Sequence, residues 1–401
     1  MSRGAYDHSR QIGQYLLALL RDPPRVADVP DLDDNDSDDL VRAANSHGVA
    51  AMVHKALNVA GKASRVAPQA GQRLAQSRFE ATAQHLQASA DLGRLASTLD
   101  ALGVPWAVMK GPAVAYLGYG DPTVRWSCDL DILVRPSDFG KALDALVAVG
   151  ATLLDVNWQL QLSLMRAEAS LRLPLGTMLD LHWHPVNNAR ARSTTRLDID
   201  DILSRRRLVS TGGGLPLMAL SPVDNMTFVT LHASLSGGHR LLWVKDIERL
   251  TRRDPPDWGR LAQSGTSAGV GLPVGMMLRR AVRLLSADVP SETVDTLLRS
   301  RGRVSLWSLA ERTAAPRPLG GATRTGTAMV SSLRGSTGET AKALVATTSL
   351  HALAKCGLGR RASGKLARND QYQGNPLHNA QGGEQAKEDY LRAIVADRRR
   401  P

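Results

Sequence analysis

Through the first hundred residues, apolar side chains recur every three or four positions, in QIGQYLLALL, then DDLVRAANSHGVAAMVHKAL, then RLAQSRFEATAQHLQASADLGRLASTLDAL. That spacing gathers them on one face of a helix, so the chain from about residue 10 to Gly103 reads as helical. At Gly103 the period changes to two. VPWAVMK (104–110) and DLDILV (129–134) read as strands, PSDFGKALDALVAVG (136–150) as a helix capped by Ser137, and VNWQLQLSL (156–164) and TMLDLHWH (177–184) as further strands. After a turn predicted at Gly212, helical spacing resumes in SPVDNMTFVTLHASL, HRLLWVKDIERLTRR, VGLPVGMMLRRAVRLL and SETVDTLLRS.

The remainder is mixed. Residues 316–337 are rich in Gly, Ser and Thr and read as a loop, 338–357 (GETAKALVATTSLHALAKCG) as one more helix, and 366–385 (LARNDQYQGNPLHNAQGGEQ) as a disordered linker. A short charged helix leads to the terminal DRRRP. The expected organisation is a helical amino-terminal region (1–103), a small core of strands and helices (104–210), a helical carboxyl-terminal region (211–315) and a basic, partly disordered tail (316–401). That makes the fold class α+β.

Composition narrows the class of protein. Of 401 residues, 43% are hydrophobic and 22% charged, which is ordinary globular usage and enough for a sizeable core. Two cysteines, Cys128 and Cys356, are too few for a disulfide framework or a four-thiolate zinc site, and neither has the basic neighbours of a nucleophile. Together with an amino terminus whose apolar run is broken by Gln14 and Tyr15, and with no long apolar segment, this points to a cytoplasmic protein without a membrane span. The net charge of +12 permits a polyanionic partner, RNA included, but aromatic residues are only 4%, so stacking platforms for single strands are scarce. The acidic stretch DLDDNDSDDL (31–40) is no calcium loop. Asp36 stands where such a loop needs glycine and Arg42 where it needs glutamate, so it reads as a linker into a helix start.

The chemistry concentrates in DLDILV. Residues two apart on a strand share a face, so Asp129 and Asp131 point together with α-carbons about 6.6 Å apart. Two carboxylates at 4 Å repel by about 4 kcal/mol at an effective dielectric of 20. A divalent cation between them reverses the sign, and hard oxygen ligands suit Mg²⁺ or Mn²⁺, which also take phosphate oxygens. Asp180, in a later hydrophobic strand, is the candidate third carboxylate, which would allow two ions to clamp an in-line displacement. Lys110 and Gly111 close the first strand, where glycine lets the backbone approach phosphates. Arg125 either neutralises phosphate oxygens or holds the start of the strand by pairing with Asp129 or Asp121.

A strand ending in Lys-Gly, a spacer, Asp-x-Asp on the next strand and an acidic residue on a later one resembles the DNA polymerase beta-like nucleotidyltransferase superfamily. More closely, GVPWAVMKGPAVAYLGYGDPTVRWSCDLDILV, LDLHWHP and LLWVKDIERL resemble the uncharacterised bacterial nucleotidyltransferases catalogued as NTP transferase type 5, over roughly residues 10–260. The resemblance implies a polymerase beta-like core and metal-dependent transfer of a nucleoside monophosphate from an NTP to an unidentified acceptor, with pyrophosphate release. Asp129 and Asp131 would hold the metals, Asp180 would complete the cluster and act as base, and Gly111 would line the triphosphate. One departure is Pro112: the superfamily's glycine is usually followed by Gly or Ser, and proline offers no amide hydrogen.

Alternatives stand beside several of these residues. Lys110 is either a phosphate contact or a salt-bridge partner for the aspartates. His182 either contacts substrate and its surroundings or simply packs, while Asp-x-His-x-His at 180–184 could form a two-histidine, one-carboxylate site. Trp243 reads as core, Asp246 as a cap or brace, and Arg205 to Arg207 as a solvated run. His232 and His239 receive no role. Two rival functions share the fold: a catalytically weak nucleotide-binding regulator, which Pro112 favours, and a toxin-like enzyme acting on tRNA.

Overall fold

The computed structural model describes residues 3–211, 216–314 and 375–397. The expected turn at Gly212, the loop at 316–337, the helix at 338–357, Cys356 and the last four residues lie outside them.

Helices α1 (Arg3–Leu20), α2 (Asp34–Ser46), α3 (Ala50–Val59) and α4 (Pro68–Ala101) account for the amino-terminal periodicity. The acidic stretch does start a helix: the Asp33 carboxylate accepts from the Asp36 amide as cap of α2. Its apolar pattern runs on into α3, but the chain breaks at Gly48, whose φ of +71° favours glycine.

The core follows, with β1 (Trp106–Val108), α5 (Pro112–Gly118), β2 (Asp129–Val134), α6 (Phe139–Ala148), β3 (Thr152–Leu153), α7 (Trp158–Leu164), β4 (Glu168–Arg172) and β5 (Met178–His182). Next come α8 (Ala189–Arg192), α9 (Ile199–Ser204), β6 (Arg207–Ser210) and β7 (Pro216–Ala219). After these, α10 (Pro222–Leu235), α11 (Leu241–Arg253), α12 (Trp258–Ser267), α13 (Gly271–Leu285), α14 (Ser291–Leu297), α15 (Arg301–Ala314) and α16 (Gly383–Asp397) are helical.

Three local expectations are corrected. VNWQLQLSL is helix α7, not a strand: the Asn157 side chain caps it by accepting from Leu160 N, and the apparent alternation hides a helical face that buries Trp158 and Gln161. Asp138, not Ser137, sits at the cap position of α6. The supposed linker is ordered from Asn375 onward. Leu377 is buried and Gln381 bridges to Asn157, because the segment packs beside α7.

The strands form one mixed sheet in the order β3-β4-β5-β2-β1-β7-β6. β2 lies between parallel β5 and antiparallel β1, as its nearly continuous apolar run requires of a central strand. Leu130, Ile132, Leu179, Leu181, Ala169 and Leu171 form one face, packed against the carboxyl-terminal half of α4, α6 and α16. The opposite face is covered at the Leu133 end by Ile199, Ile202 and Leu203 of α9 and Phe228 of α10. A separate helical core joins α1–α3 and the start of α4 to α10–α14. No helix among the described residues is long and apolar enough to cross a membrane.

Candidate functional site

Strand register places the acidic residues. Asp131 pairs with Asp180 across β2 and β5, and Asp180 pairs with Ser170 on β4. One step along, Leu133, His182 and Glu168 form the next row. Asp131, Asp180, Ser170, His182 and Glu168 thus lie on one face of three strands, the face whose Leu133 end α9 and α10 cover.

Within those rows, one oxygen each of Asp131 and Asp180 and one nitrogen of His182 lie within 4.8 Å of one another. Asp129 lies outside this trio but acts on it, since its charge helps raise both Lys110 and Asp180. Lys110 Nζ is 2.7 Å from Asp131 Oδ1, and His182 Nε2 is 3.0 Å from the same oxygen. Burial alone would push the Asp131 carboxyl up; Lys110 and His182 outweigh it and hold the carboxyl well below the usual range.

Asp180 behaves oppositely. Burial, then the charges of Glu168 and Asp131, push its carboxyl up to about 8. It accepts a hydrogen bond from Ser170 Oγ at 2.7 Å. Asp129 is also raised, by burial and by Asp131. Negative charge is therefore under-compensated around Asp180, and a divalent cation would relieve it.

His182 stands between two carboxylates, with Nδ1 3.4 Å from Glu168 Oε2. Burial would lower this imidazole, but the hydrogen bond to Asp131 and the Glu168 charge raise it. Nδ1 is buried without a well-formed hydrogen bond. A carboxylate behind a buried imidazole whose other nitrogen faces acidic oxygens is the arrangement that orients a histidine toward a metal. His184 does not join it. Its Nδ1 accepts from the Val186 amide, and burial with the Arg192 charge holds it well below its usual value, so the two-histidine site is not assembled.

Gly111 needs to be glycine. Its φ is +53°, and a Cβ there would come within 3.0 Å of Asp129 O and Ser127 Oγ. Pro112 follows as the first residue of α5, where a missing amide hydrogen costs no helical bond.

Arg125 holds the entry to β2, one of its expected roles, but through a partner other than Asp129 or Asp121. It makes a bidentate bond to Asp246 of α11, with Nε–Oδ1 2.9 Å and Nη2–Oδ2 2.7 Å, and Tyr119 OH donates to Asp246 Oδ1 at 2.8 Å. Asp121 is engaged instead by Arg78 and Lys55. Asp246 is thus a brace tying α11 to the start of β2. The run at 205–207 is not merely solvated: Arg205 pairs with Asp201 and Asp224, and Arg207 with Asp254.

Sequence reasoning passed over Glu168, Ser170 and His232. The alternation in EASLR could have revealed the first two as strand residues. His232 gives no local signal, because its contact is Lys110, with Nδ1 3.2 Å from Nζ. Burial and that ammonium hold the imidazole down to about 3, so it is neutral. Trp243, expected in the core, packs against the helical core from a partly buried position, flanked by His232 and His239.

Asp131, Asp180 and His182 could hold a metal ion on this mixed sheet, with Lys110 and the tight turn at Gly111 at their border. The family described as "Uncharacterised nucleotidyltransferase" matches residues 33–286, so the chain belongs to that family. No curated protein matches it. Among solved structures it is similar to an antigenic nucleotidyltransferase-like protein from Paracoccidioides brasiliensis, at 17% identity and a TM-score of 0.32, over 51% of this chain and 95% of that one.

Proposed function

We propose that this protein transfers a nucleoside monophosphate from an NTP to an acceptor hydroxyl and releases pyrophosphate, on a polymerase beta-like core in the cytoplasm. The observation that carries the reading is the convergence of Asp131, Asp180 and His182 from neighbouring strands, with Asp129 beside them. The donor set fits a divalent ion: three carboxylates supply hard oxygens suited to Mg²⁺ or Mn²⁺, and the imidazole nitrogen adds a ligand that Mn²⁺ accepts more readily. When bound, such an ion neutralises charge on the reacting phosphate.

The remaining roles belong to the chain. Lys110, held beside Asp131, meets triphosphate oxygens as a point charge. Gly111 lets the backbone close on them. Asp180, once an ion holds it ionised, would take the proton of the acceptor hydroxyl. Catalysis is then mainly positioning and charge neutralisation. Arg125 contributes by fixing the start of β2, not by touching phosphate.

One contact favours a second reading. The Lys110 ammonium 2.7 Å from Asp131 occupies one carboxylate oxygen that an ion would need, as expected of a nucleotide-binding regulator with little turnover. Incubation with each α-³²P-labelled NTP, Mg²⁺ or Mn²⁺ and a cell extract separates the two. Label transferred to an acceptor by the wild type but not by Asp131→Asn supports the transferase; nucleotide bound with no product from any NTP leaves the regulator. Label on RNA would identify a nucleic-acid acceptor.

A further inference from the structure

Beyond the carboxylates, Lys110 leads through His232 to helix α11. Trp243 and Asp246 are three residues apart on α11 and so share a helix face. Asp246 is tied through Arg125 to the segment entering β2, and the indole lies one turn toward the amino terminus of α11. Lys110 Nζ lies 3.2 Å from His232 Nδ1, and the His232 ring lies 5.5 Å from the indole, nearly perpendicular to it. The indole is therefore three side-chain contacts from Asp131, by way of His232 and Lys110.

Trp243 packs against the helical core on one side but is less buried than the tryptophans of the sheet core. Trp106 and Trp183 are almost fully buried, and Trp183 donates its indole hydrogen to Arg166 O and Tyr390 OH. Trp243, by contrast, is partly exposed, as are His232, His239, Arg240 and Lys110. His239 sits 5.1 Å from the ring, edge-on, and the Arg240 guanidinium lies 5.6 Å from its centroid. Indole, two edge-on imidazoles and a guanidinium form a partly open aromatic surface whose positive charge sits on Arg240, in a chain with few aromatic residues.

We infer that Trp243, with Arg240 and His239 beside it, forms the nucleobase subsite of the donor NTP. This deepens the nucleotidyltransferase reading and rests on it. The triphosphate end lies toward Lys110, and the base lies against α11, where an aromatic face accepts any base and the guanidinium offers donors to its ring acceptors. Recognition by stacking makes the site tolerant among bases while separating nucleotides from bare polyphosphate.

The test compares binding of ATP, GTP, CTP, UTP and inorganic tripolyphosphate, by calorimetry with Mg²⁺, to the wild type, Trp243→Ala and Trp243→Phe. The expected result is an NTP affinity about tenfold lower in Trp243→Ala and within about threefold of wild type in Trp243→Phe, with tripolyphosphate unchanged in both. NTP addition should also change indole emission in the wild type, a response that Trp243→Phe loses. Wild-type NTP binding no tighter than tripolyphosphate overturns the subsite without any variant, and so does an unchanged NTP affinity in a folded Trp243→Ala. In either case the transferase reading survives. A wild type that binds neither NTP nor tripolyphosphate removes that reading and this inference with it.

Discussion

The Arg125–Asp246 pair offers the sharpest energetic test, because both partners are buried and their geometry is bidentate. Arg125 is 7% exposed and Asp246 1%, and Tyr119 donates to the same carboxylate. Asp246→Ala removes the carboxylate that this guanidinium pairs with and strands the charge in a poorly solvated site. Breaking one side of such a pair costs about 3–5 kcal/mol. That is a large share of the ~5–15 kcal/mol expected for a folded domain. Replacing both partners by apolar residues of similar volume, Arg125→Met with Asp246→Leu, removes the stranded charge and should return stability to within about 2 kcal/mol of wild type. Urea unfolding of the wild type, Arg125→Met, Asp246→Leu and the double variant closes the cycle, with Asp246→Ala measured beside it, provided the denaturant slope stays constant. A loss under about 1 kcal/mol in Asp246→Ala, or a double variant worse than either single one, would refute the claim that this pair braces α11 against β2.

Three further outcomes follow from the site. Asp180 in the ion-free protein has its carboxyl raised to about 8. The folded state therefore binds the extra proton between roughly pH 4 and 8, and stability falls as pH rises through that window. Asp180→Asn should flatten the fall, seen as a melting temperature that gains on wild type at pH 8 but not near pH 4 in EDTA; equal pH slopes would count against the acidic cluster. Glu168→Gln should weaken Mn²⁺ binding about tenfold by calorimetry, since the His182 ring loses the carboxylate behind it; unchanged affinity would remove His182 from the ligand set. Gly111→Ala should cost about 1–3 kcal/mol in thermal or urea unfolding, because the turn has positive φ and the added methyl meets Asp129 O; a neutral effect would mean that the bend relaxes freely.

Much of the fold was legible because period and burial agree there. DLDILV matches β2 residue for residue, since a nearly continuous apolar run flanked by acids can satisfy its backbone only as a central strand. Two elements misled for opposite reasons. In α7, polar residues at every second position imitate a strand, and only the cap at Asn157 and the packing against α16 settle the helix. In β4, true alternation in EASLR was overlooked between a helix and a turn, which hid Glu168 and Ser170. The site divides along the same line. Asp129, Asp131 and Asp180 announce themselves as acids within hydrophobic strands, whereas Asp246 reaches Arg125 across 121 positions and His232 reaches Lys110 across 122, separations at which no periodicity carries information.

The two faces of the sheet explain how so much like charge can be tolerated. Even-numbered positions of β2, with their neighbours on β4 and β5, enter a dry core against α4, α6 and α16. Helix α16 returns from the far end of the chain to bury Tyr390 there, its hydroxyl donating to Arg166 O and accepting from Trp183 Nε1. Arg166 pairs with Glu168, and Glu168 stands behind His182, so packing on the closed face fixes the strand that aims the open one. Apolar burial on one side thus holds Asp131 and Asp180 in a register that their mutual repulsion opposes. A site built this way is strained until a cation arrives, so neutralising Asp180 should make the ion-free protein more stable and a less capable metal binder at once.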